Sequence, residues 1–434
     1  MLSDPTKHFI LANARAPAAL VPKVRATPDA EDLVAVDIRI ANGTITGIVP
    51  AGTAHADIPR HELAGSLVLP ALVDAHTHLD KGFIWPRAPN PDGTFAGALQ
   101  AADADRLANW TEEDVRRRMD FALRCAYAHG TVAIRTHLDS IGAQTAISWP
   151  VFAEMRALWA DRIALQAASL MPIDHALDEA EFAIVLAAVR TYGGVLGAFT
   201  TMTPDLDAAL ERMFDAAEQY GLDLDFHADE SASPDARALA RIAAIANARN
   251  YRGRILVGHC CALALQSEDE VDRTLDAVAR AGIAIVTLPM CNLYLQNRTP
   301  GRTPRWRGVT LLQEMSARGI PVMTASDNTR DPFHAYGDLD LVEVYRETTR
   351  ICHLDHPFGD WPRVVTRAPA DIMGLEHVGL LAPGRRADML VFRARGLNEL
   401  LARPQTDRLV LRAGRAIDRT LPDYAELDDL MGTP

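Results

Sequence analysis

The chain has 434 residues, of which 48% are hydrophobic and 23% charged, and its formal net charge at pH 7 is -13. This length and composition are typical of a globular protein with a large core and a smaller appended domain. The acidic balance and the lack of any Lys/Arg run argue against nucleic acid as a partner. The sequence contains no apolar run of about 20 residues, so it predicts no membrane-spanning helix. Five scattered cysteines without a CxxC pair, and an N-terminus unlike a signal peptide, predict a reduced protein of the cytoplasm.

The first 66 residues have the pattern of short strands separated by turns. Apolar and polar residues alternate along 33–52, and Asn42-Gly43 within that stretch predicts a hairpin turn. The last segment, 377–434, has the same character, with Gly384 and Gly414 at predicted turns. Because chain termini often lie close together, we predict that 1–66 and 377–434 form one small β-sandwich domain.

The central segment, 67–376, alternates short apolar runs with longer amphipathic stretches. Apolar residues of these stretches recur at intervals of three and four, and a glycine closes each, as in helices. Eight strand–helix units predict an α/β fold, a (β/α)8 barrel of the TIM type with parallel strands. A doubly wound open sheet is the alternative, which the lack of GxGxxG after the first run disfavours. The eight runs are SLVLPALVDAH, TVAIRTH, IALQAASLM, GVLGAFT, LDLDFHA, RILVGHC, IAIVTLP and IPVMTAS.

One long insertion follows the first run, from Lys81 to about Trp110. Its prolines and Gly93 predict an irregular loop. Long loops at the mouth of a barrel are often functional, and a passive surface loop is the alternative.

Polar side chains end several of the predicted strands, where barrel enzymes carry their catalytic groups. His76 and His78 end the first run, and residues two apart on a strand face the same side. His227 ends the fifth run, His259 the sixth and Asp327 the eighth. Buried polar groups need partners, and imidazole with carboxylate is the donor set of metal centres that activate water. The strand ends therefore predict a metal site.

Short motifs at these strand ends carry a family resemblance. They are HTHLD at 76–80, RTHLD at 135–139, HADE at 227–230, VGH at 257–259, NLYLQNR at 292–298 and SD at 326–327. With them the chain resembles the amidohydrolase superfamily and, within it, the bacterial cytosine deaminase group. Three further motif residues, His137, Asp139 and Asp229, are expected to support the site rather than to bind the ion.

The resemblance implies a role for each main site residue. One divalent ion, zinc or iron, would be bound by His76, His78, His227 and Asp327. Such ligands suit either metal, and the fourth run offers no lysine for a binuclear centre. His259 would hydrogen-bond the attacking oxygen, and Glu230 would carry a proton to a ring nitrogen. Asp327 would also take the proton of water and pass it to the leaving amine.

The predicted substrate contacts depart from those of cytosine deaminases. Ile173 stands where that group has a glutamine, Asn328 where it has a second aspartate, and Phe333 where it has a tryptophan. Lys81 is a candidate to contact a carbonyl or an anionic group of the substrate, and Trp85 is a candidate to stack on a flat ring. The alternatives are a salt bridge for Lys81 and packing within the loop for Trp85. These departures disfavour cytosine itself as the substrate.

The predicted function is metal-dependent hydrolytic deamination of a planar nitrogen heterocycle, in which a non-peptide C–N bond of a cyclic amidine is cleaved. The candidate substrates are a cytosine-like pyrimidine, a pterin and an aminotriazine. Hydrolysis of a cyclic amide or N-alkylamine on the same scaffold is one alternative. A catalytically inactive barrel that serves as a binding or assembly protein is another. The expected partner is the small-molecule substrate, with no nucleic acid and no membrane, and a homo-oligomer is compatible with the sequence.

Overall fold

A computed structural model of the chain describes residues 8–54 and 57–432. These residues divide into two compact units. The first comprises the described parts of Met1–Asp74, Cys125–Ala133 and Asp340–Leu421, and the second those of Ala75–Arg124, Ile134–Leu339 and Pro422–Pro434.

Strands and helices are numbered separately in chain order. The strands are β1 (Phe9–Pro17), β2 (Leu33–Ala41), β3 (Thr44–Pro50), β4 (Arg60–Glu62), β5 (Val68–Pro70), β6 (Leu72–Thr77), β7 (Thr131–Asp139), β8 (Ala164–Leu170), β9 (Leu196–Phe199), β10 (Leu224–Ala228), β11 (Ile255–His259), β12 (Ala284–Thr287), β13 (Val322–Thr324), β14 (Met389–Val391), β15 (Leu409–Arg412) and β16 (Arg415–Ala416). The α-helices are α1 (Phe95–Asn109), α2 (Glu112–His129), α3 (Thr145–Trp159), α4 (Glu179–Tyr192), α5 (Leu206–Tyr220), α6 (Ala238–Arg249), α7 (Glu268–Ala281), α8 (Pro289–Leu295), α9 (Leu312–Ala317), α10 (Leu341–Cys352), α11 (Arg367–Ile372), α12 (Leu397–Ala402) and α13 (Asp428–Met431). Among the described residues, no helix has both the length and the apolar character needed to cross a bilayer.

The first unit contains two four-stranded sheets, with strand orders β3-β2-β1-β4 and β16-β15-β14-β5. The hairpin predicted at Asn42-Gly43 is confirmed, because β2 pairs antiparallel with β3 and the two turn residues have φ of 49° and 74°. One buried apolar cluster takes side chains from both sheets, including Val36, Val68 and Leu411. Strands from early and late in the chain therefore contribute to one core.

The eight apolar runs of the central segment each supply one strand of a parallel arrangement, β6 to β13. Strands β9 to β13 form a parallel sheet in the order β13-β12-β11-β10-β9, and a second sheet has the order β6-β7-β8. Isolated parallel bridges join Thr77 to Asp327 and Ala168 to Val195. The predicted α/β class with parallel strands is confirmed.

The first run differs from its prediction because it contains two strands. Its first part is β5, which pairs antiparallel with β14, and only its second part is β6. Pro70 ends β5, and a proline has no N–H with which to continue a ladder.

The predicted loop from Lys81 to about Trp110 also differs, since its second half is helix α1. Thr94 caps this helix, and its hydroxyl accepts a hydrogen bond from the Gly97 amide at 3.0 Å. The helix is rich in alanine, the residue with the highest helix propensity. The prolines that precede α1 led to the prediction of an irregular loop over the whole segment, and for the residues of α1 this prediction is wrong.

Candidate metal centre and active site

Four buried side chains converge where β6, β10 and β13 end. His76 lies on β6 and His78 just after it, His227 lies on β10, and Asp327 follows β13. The Asp327 amide donates to the His76 carbonyl at 2.9 Å, which fixes β13 against β6 at this point. None of the four residues is more than 8% exposed. Gly258 leaves room for the cluster, because a Cβ there would lie 2.9 Å from Cε1 of His76.

The ligand atoms of these residues are spaced as for one shared ion. The Nε2 atoms of His78 and His227 are 3.3 Å apart, and Oδ1 of Asp327 lies 3.2 Å from His78 Nε2. The same oxygen is 3.4 Å from Nε2 of His76. Two atoms bound about 2.1 Å from a tetrahedral ion lie roughly 3.4 Å apart. The donor set therefore fits a divalent metal ion.

The protonation states also suit metal binding. Burial lowers the pKa of His76 and takes the pKa values of His78 and His227 well below the ordinary value. Burial alone would raise the pKa of Asp327, but its close contacts with the His76 and His78 imidazoles hold it well below the usual range. Neutral imidazoles and an ionised carboxylate are the forms that bind metals.

Four non-glycine residues at or near these strand ends have left-handed backbone. They are Asp229, His259, Cys260 and Asp327, with φ of 54°, 68°, 53° and 58°. Such conformations cost about 1–3 kcal/mol each and concentrate at functional sites, where the surrounding structure holds them in place. Asp229 directly follows β10, His259 and Cys260 lie at the end of β11, and Asp327 lies three residues after β13.

A second polar group beside the cluster joins Glu230, His259 and Asn292. Nδ2 of Asn292, on α8, lies 3.1 Å from Oε1 of Glu230 and 3.1 Å from Nδ1 of His259. An amide nitrogen only donates, so Nδ1 of His259 accepts and Nε2 carries the ring proton. Burial, and then the charge of Asp327, raise the pKa of Glu230 well above its ordinary value. Asn292 falls in the motif at 292–298, but the sequence had assigned it no role.

The three residues expected to support the site each have a partner. Nε2 of His137 lies 3.0 Å from Oδ1 of Asp225, while its ring is one of four histidines whose ligand atoms lie within 4.8 Å of one another. Asp139 accepts an ion-pair contact from Lys81 Nζ at 2.8 Å. Asp229 accepts hydrogen bonds from the first two amides of α6, at 2.8 and 3.0 Å.

A cavity of about 480 Å³ opens onto the cluster, and His78, His227, Glu230 and His259 form part of its wall. Of the predicted substrate contacts, Lys81, Asn328 and Phe333 line it. Nζ of Lys81 lies 5.3 Å from the centre of the Phe333 ring as well as against Asp139. Sequence reasoning missed the rest of the wall, which consists of Phe95, Leu99, Ala102, Asp103, Ile141, Leu170, Phe199, Thr200, Thr201, Met202, Ser231, Ser233, Asp235 and Ala236.

Trp85 and Ile173 are not among the residues that line this cavity. Ile173 is fully buried at the start of a short 3-10 helix, and Leu170 faces the cavity from the preceding strand. The Trp85 amide donates to the Arg330 carbonyl at 2.8 Å, and its side chain is partly buried within the loop. The fold does not bring these two side chains to the site with the others.

Comparisons with known proteins bear on this geometry. A sequence model of the amidohydrolase family matches residues 156–418. A pterin deaminase of Rhizobium rhizogenes is 53% identical over 425 residues, which cover 98% of this chain and 97% of the relative. Among solved structures, the 5-methylcytosine deaminase of Klebsiella pneumoniae liganded with 5-fluorocytosine has a TM-score of 0.81 at 23% identity, covering 96% of this chain and 98% of that one. The N-isopropylammelide isopropylaminohydrolase of Burkholderia multivorans has a TM-score of 0.74 at 25% identity, covering 95% and 98%.

Proposed function

Because the chain belongs to the amidohydrolase family, we propose that it is a hydrolytic deaminase whose substrate is a pterin. The predicted deamination of a planar nitrogen heterocycle by a member of this family is confirmed. The choice of a pterin over a pyrimidine or a triazine is carried by one observation, the 53% identity to a pterin deaminase across nearly the whole chain.

We propose that the divalent metal of this family is bound here by His76, His78, His227 and Asp327, as a single zinc or iron ion. The ligand-atom spacings and the protonation states described above support this assignment. When bound, the metal lowers the pKa of water from 15.7 toward about 7 and so supplies a nucleophile at neutral pH.

The site residues around the ion account for the proton movements of deamination. Asp327 accepts the proton of the attacking water, and His259 donates a hydrogen bond from Nε2 to the same oxygen. Glu230 protonates the ring nitrogen next to the reacting carbon. The negative charge that attack would place on this nitrogen is thereby neutralised, and the C–O bond can form. The C–N bond then breaks as Asp327 returns its proton to the amine, which leaves as ammonia. The proton of the new hydroxyl group passes to the Glu230 carboxylate as the C=O bond forms, which restores Glu230. The products are the oxo-heterocycle and ammonia, which balance the amino-heterocycle and water.

The size and lining of the cavity support a bicyclic ring as the substrate. Its volume of about 480 Å³ lies within the usual range of small-molecule sites, roughly 300–1,000 Å³. Phe95 and Phe333 meet edge to face, with ring centres 5.7 Å apart, and both line the cavity. Aromatic rings of this kind pack well against a flat heterocycle.

Several architectural predictions stay proposals. We propose that β6 to β13 close into a TIM-type barrel, and the bridges from Thr77 to Asp327 and from Ala168 to Val195 support closure. We also propose that both chain ends form one β-sandwich, which the apolar cluster shared by the two sheets supports. The cluster includes Val68 of β5, so the first part of the sandwich extends beyond the predicted boundary between 1–66 and the barrel at 67–376, while 377–434 supplies its last part. The cytoplasmic location and a homo-oligomer also stay predictions.

We expect ammonia release from pterin to exceed that from cytosine by at least about 10²-fold in kcat/KM. Asn328 lines the cavity at the position where the resemblance places a second aspartate of cytosine deaminases, and a changed polar group at a buried substrate contact discriminates strongly. The measurement is an ammonia-release panel of pterin, cytosine and an aminotriazine. A kcat/KM for cytosine above roughly 10⁵ M⁻¹s⁻¹, with pterin inert, would contradict the proposal. Release of an alkylamine in place of ammonia would favour the N-alkylamine alternative.

A further inference from the structure

A buried carboxylate organises the segment that carries Asn328 and Phe333. Asp331 is fully buried, and its Oδ1 accepts hydrogen bonds from the backbone amides of Phe333 and His334, at 2.8 and 3.1 Å. Its other oxygen, Oδ2, accepts from Nδ2 of Asn328 at 2.6 Å. One oxygen of Asp331 therefore holds the backbone of the segment, and the other holds a single side chain.

The contact with Asp331 decides which end of the Asn328 amide is turned inward. A carboxylate oxygen only accepts, so the amide nitrogen of Asn328 must face Asp331. Among the described residues, this is the hydrogen bond recorded for the Asn328 side chain, and it engages Nδ2 alone. Asn328 lines the cavity beside the proposed metal ligand Asp327, so its oxygen is the end left for a ligand.

We propose that Asp331 is a positioning residue that orients the Asn328 carboxamide so that its oxygen accepts an N–H from the substrate. This inference rests on the proposed function, because it names the edge of the heterocycle that the site recognises. A pterin has N–H donors at its 2-amino group and at N3, which complement an acceptor. If a ring presented only a nitrogen lone pair to Asn328, that nitrogen and the Asn328 oxygen would be two acceptors facing each other. Two buried acceptors without a hydrogen between them are unfavourable.

Asp331 and Asn328 allow a test in which side-chain shape is nearly constant. In D331N the new amide keeps its oxygen on the amides of Phe333 and His334 and places N–H groups against Asn328. The Asn328 amide then turns over, and a donor faces the substrate. In the double variant N328D/D331N, the introduced amide donates to the introduced carboxylate, whose second oxygen again presents an acceptor to the cavity.

We expect D331N to raise KM by about tenfold or more, since one unmatched buried polar group costs about 1–3 kcal/mol. The change in kcat should be smaller, and bound metal should equal that of the wild type. We expect the double variant to recover KM to within about threefold of the wild type. An unchanged KM in D331N, or a double variant no better than D331N, would overturn the inference.

The assays are best run at about pH 8.5, where an Asp331 titrating near neutrality is ionised. Burial raises the pKa of Asp331 to about 7, against the opposing effects of its N–H donors and of Lys81. The matched control is Asp37→Asn in the first unit. Asp37 is also fully buried and accepts from the amides of Asn13 and Gly52, at 2.8 and 3.1 Å. This control should lower the unfolding temperature without changing KM.

The two proposals fail in different ways. Pterin turnover by the wild-type enzyme decides the proposed function, and the KM pattern of the four proteins, wild type, N328D, D331N and N328D/D331N, decides the role of Asp331. The four proteins are assayed with whichever heterocycle of the panel the wild type deaminates best. A wild type that prefers another ring therefore overturns the pterin assignment, while recovery in the double variant still supports the role of Asp331.

Discussion

Replacing His227 by alanine is expected to remove the bound metal and, with it, deamination. His227 contributes one of the two nitrogens that face each other at 3.3 Å, and alanine offers no atom that could replace it as a ligand. Loss of a residue that merely supports a ligand typically weakens metal binding about 10–100-fold, so loss of a ligand should exceed that. Metal analysis of the purified protein gives the stoichiometry, and competition with a chelator gives the affinity.

The matched control for this variant is His129→Ala in the first unit. His129 is also buried, and its Nδ1 lies 2.8 Å from Nη2 of Arg408. The His129 variant should lower the stability of the fold but leave the metal in place. If the His227 variant kept the metal content of the wild type, the ligand assignment would be wrong.

Glu230→Gln is expected to keep the metal and the fold but to lose at least about 10²-fold in kcat, the lower value for positioned proton transfer. Glutamine preserves the shape and can still contact Asn292, but it cannot deliver a proton. Burial, with the charge of Asp327, raises the pKa of Glu230 well above the ordinary value. A raised pKa keeps the carboxyl protonated at higher pH, so the wild-type group still holds its proton when the substrate arrives. Steady-state kinetics and metal analysis of the same sample check both parts.

A control for the removal of a carboxyl is Glu343→Gln on α10, in the first unit. Burial also raises the pKa of Glu343, so that variant perturbs a comparable group away from the proposed site. Its kcat should match that of the wild type. Near-normal turnover in the Glu230 variant would remove Glu230 from the mechanism, and loss of its metal would make Glu230 a ligand.

The sequence by itself determined the α/β class, the eight central strands and the family. Parallel strands buried on both faces are continuous apolar runs, so a polar residue at the end of such a run is conspicuous. His76, His78, His227, His259 and Asp327 are all of this kind. The carboxyl ends of parallel strands all lie at the same end of the sheet. Residues at the ends of different runs were therefore expected to lie close together in space.

Only the tertiary structure decided which other side chains face the cavity. Asn292 reaches His259 and Glu230 across 33 and 62 residues of sequence, and no local pattern marks that contact. Helix α1 brings Phe95 and Leu99 to the cavity from what had been predicted as an irregular loop. Trp85 and Ile173 pack elsewhere, because chain neighbours of a site residue are turned toward or away from it by local backbone geometry. The regular alternation of strands and helices gathers the proposed metal ligands at the strand ends, whereas the walls of a cavity depend on loops and long-range packing, which follow no such regular pattern in the sequence.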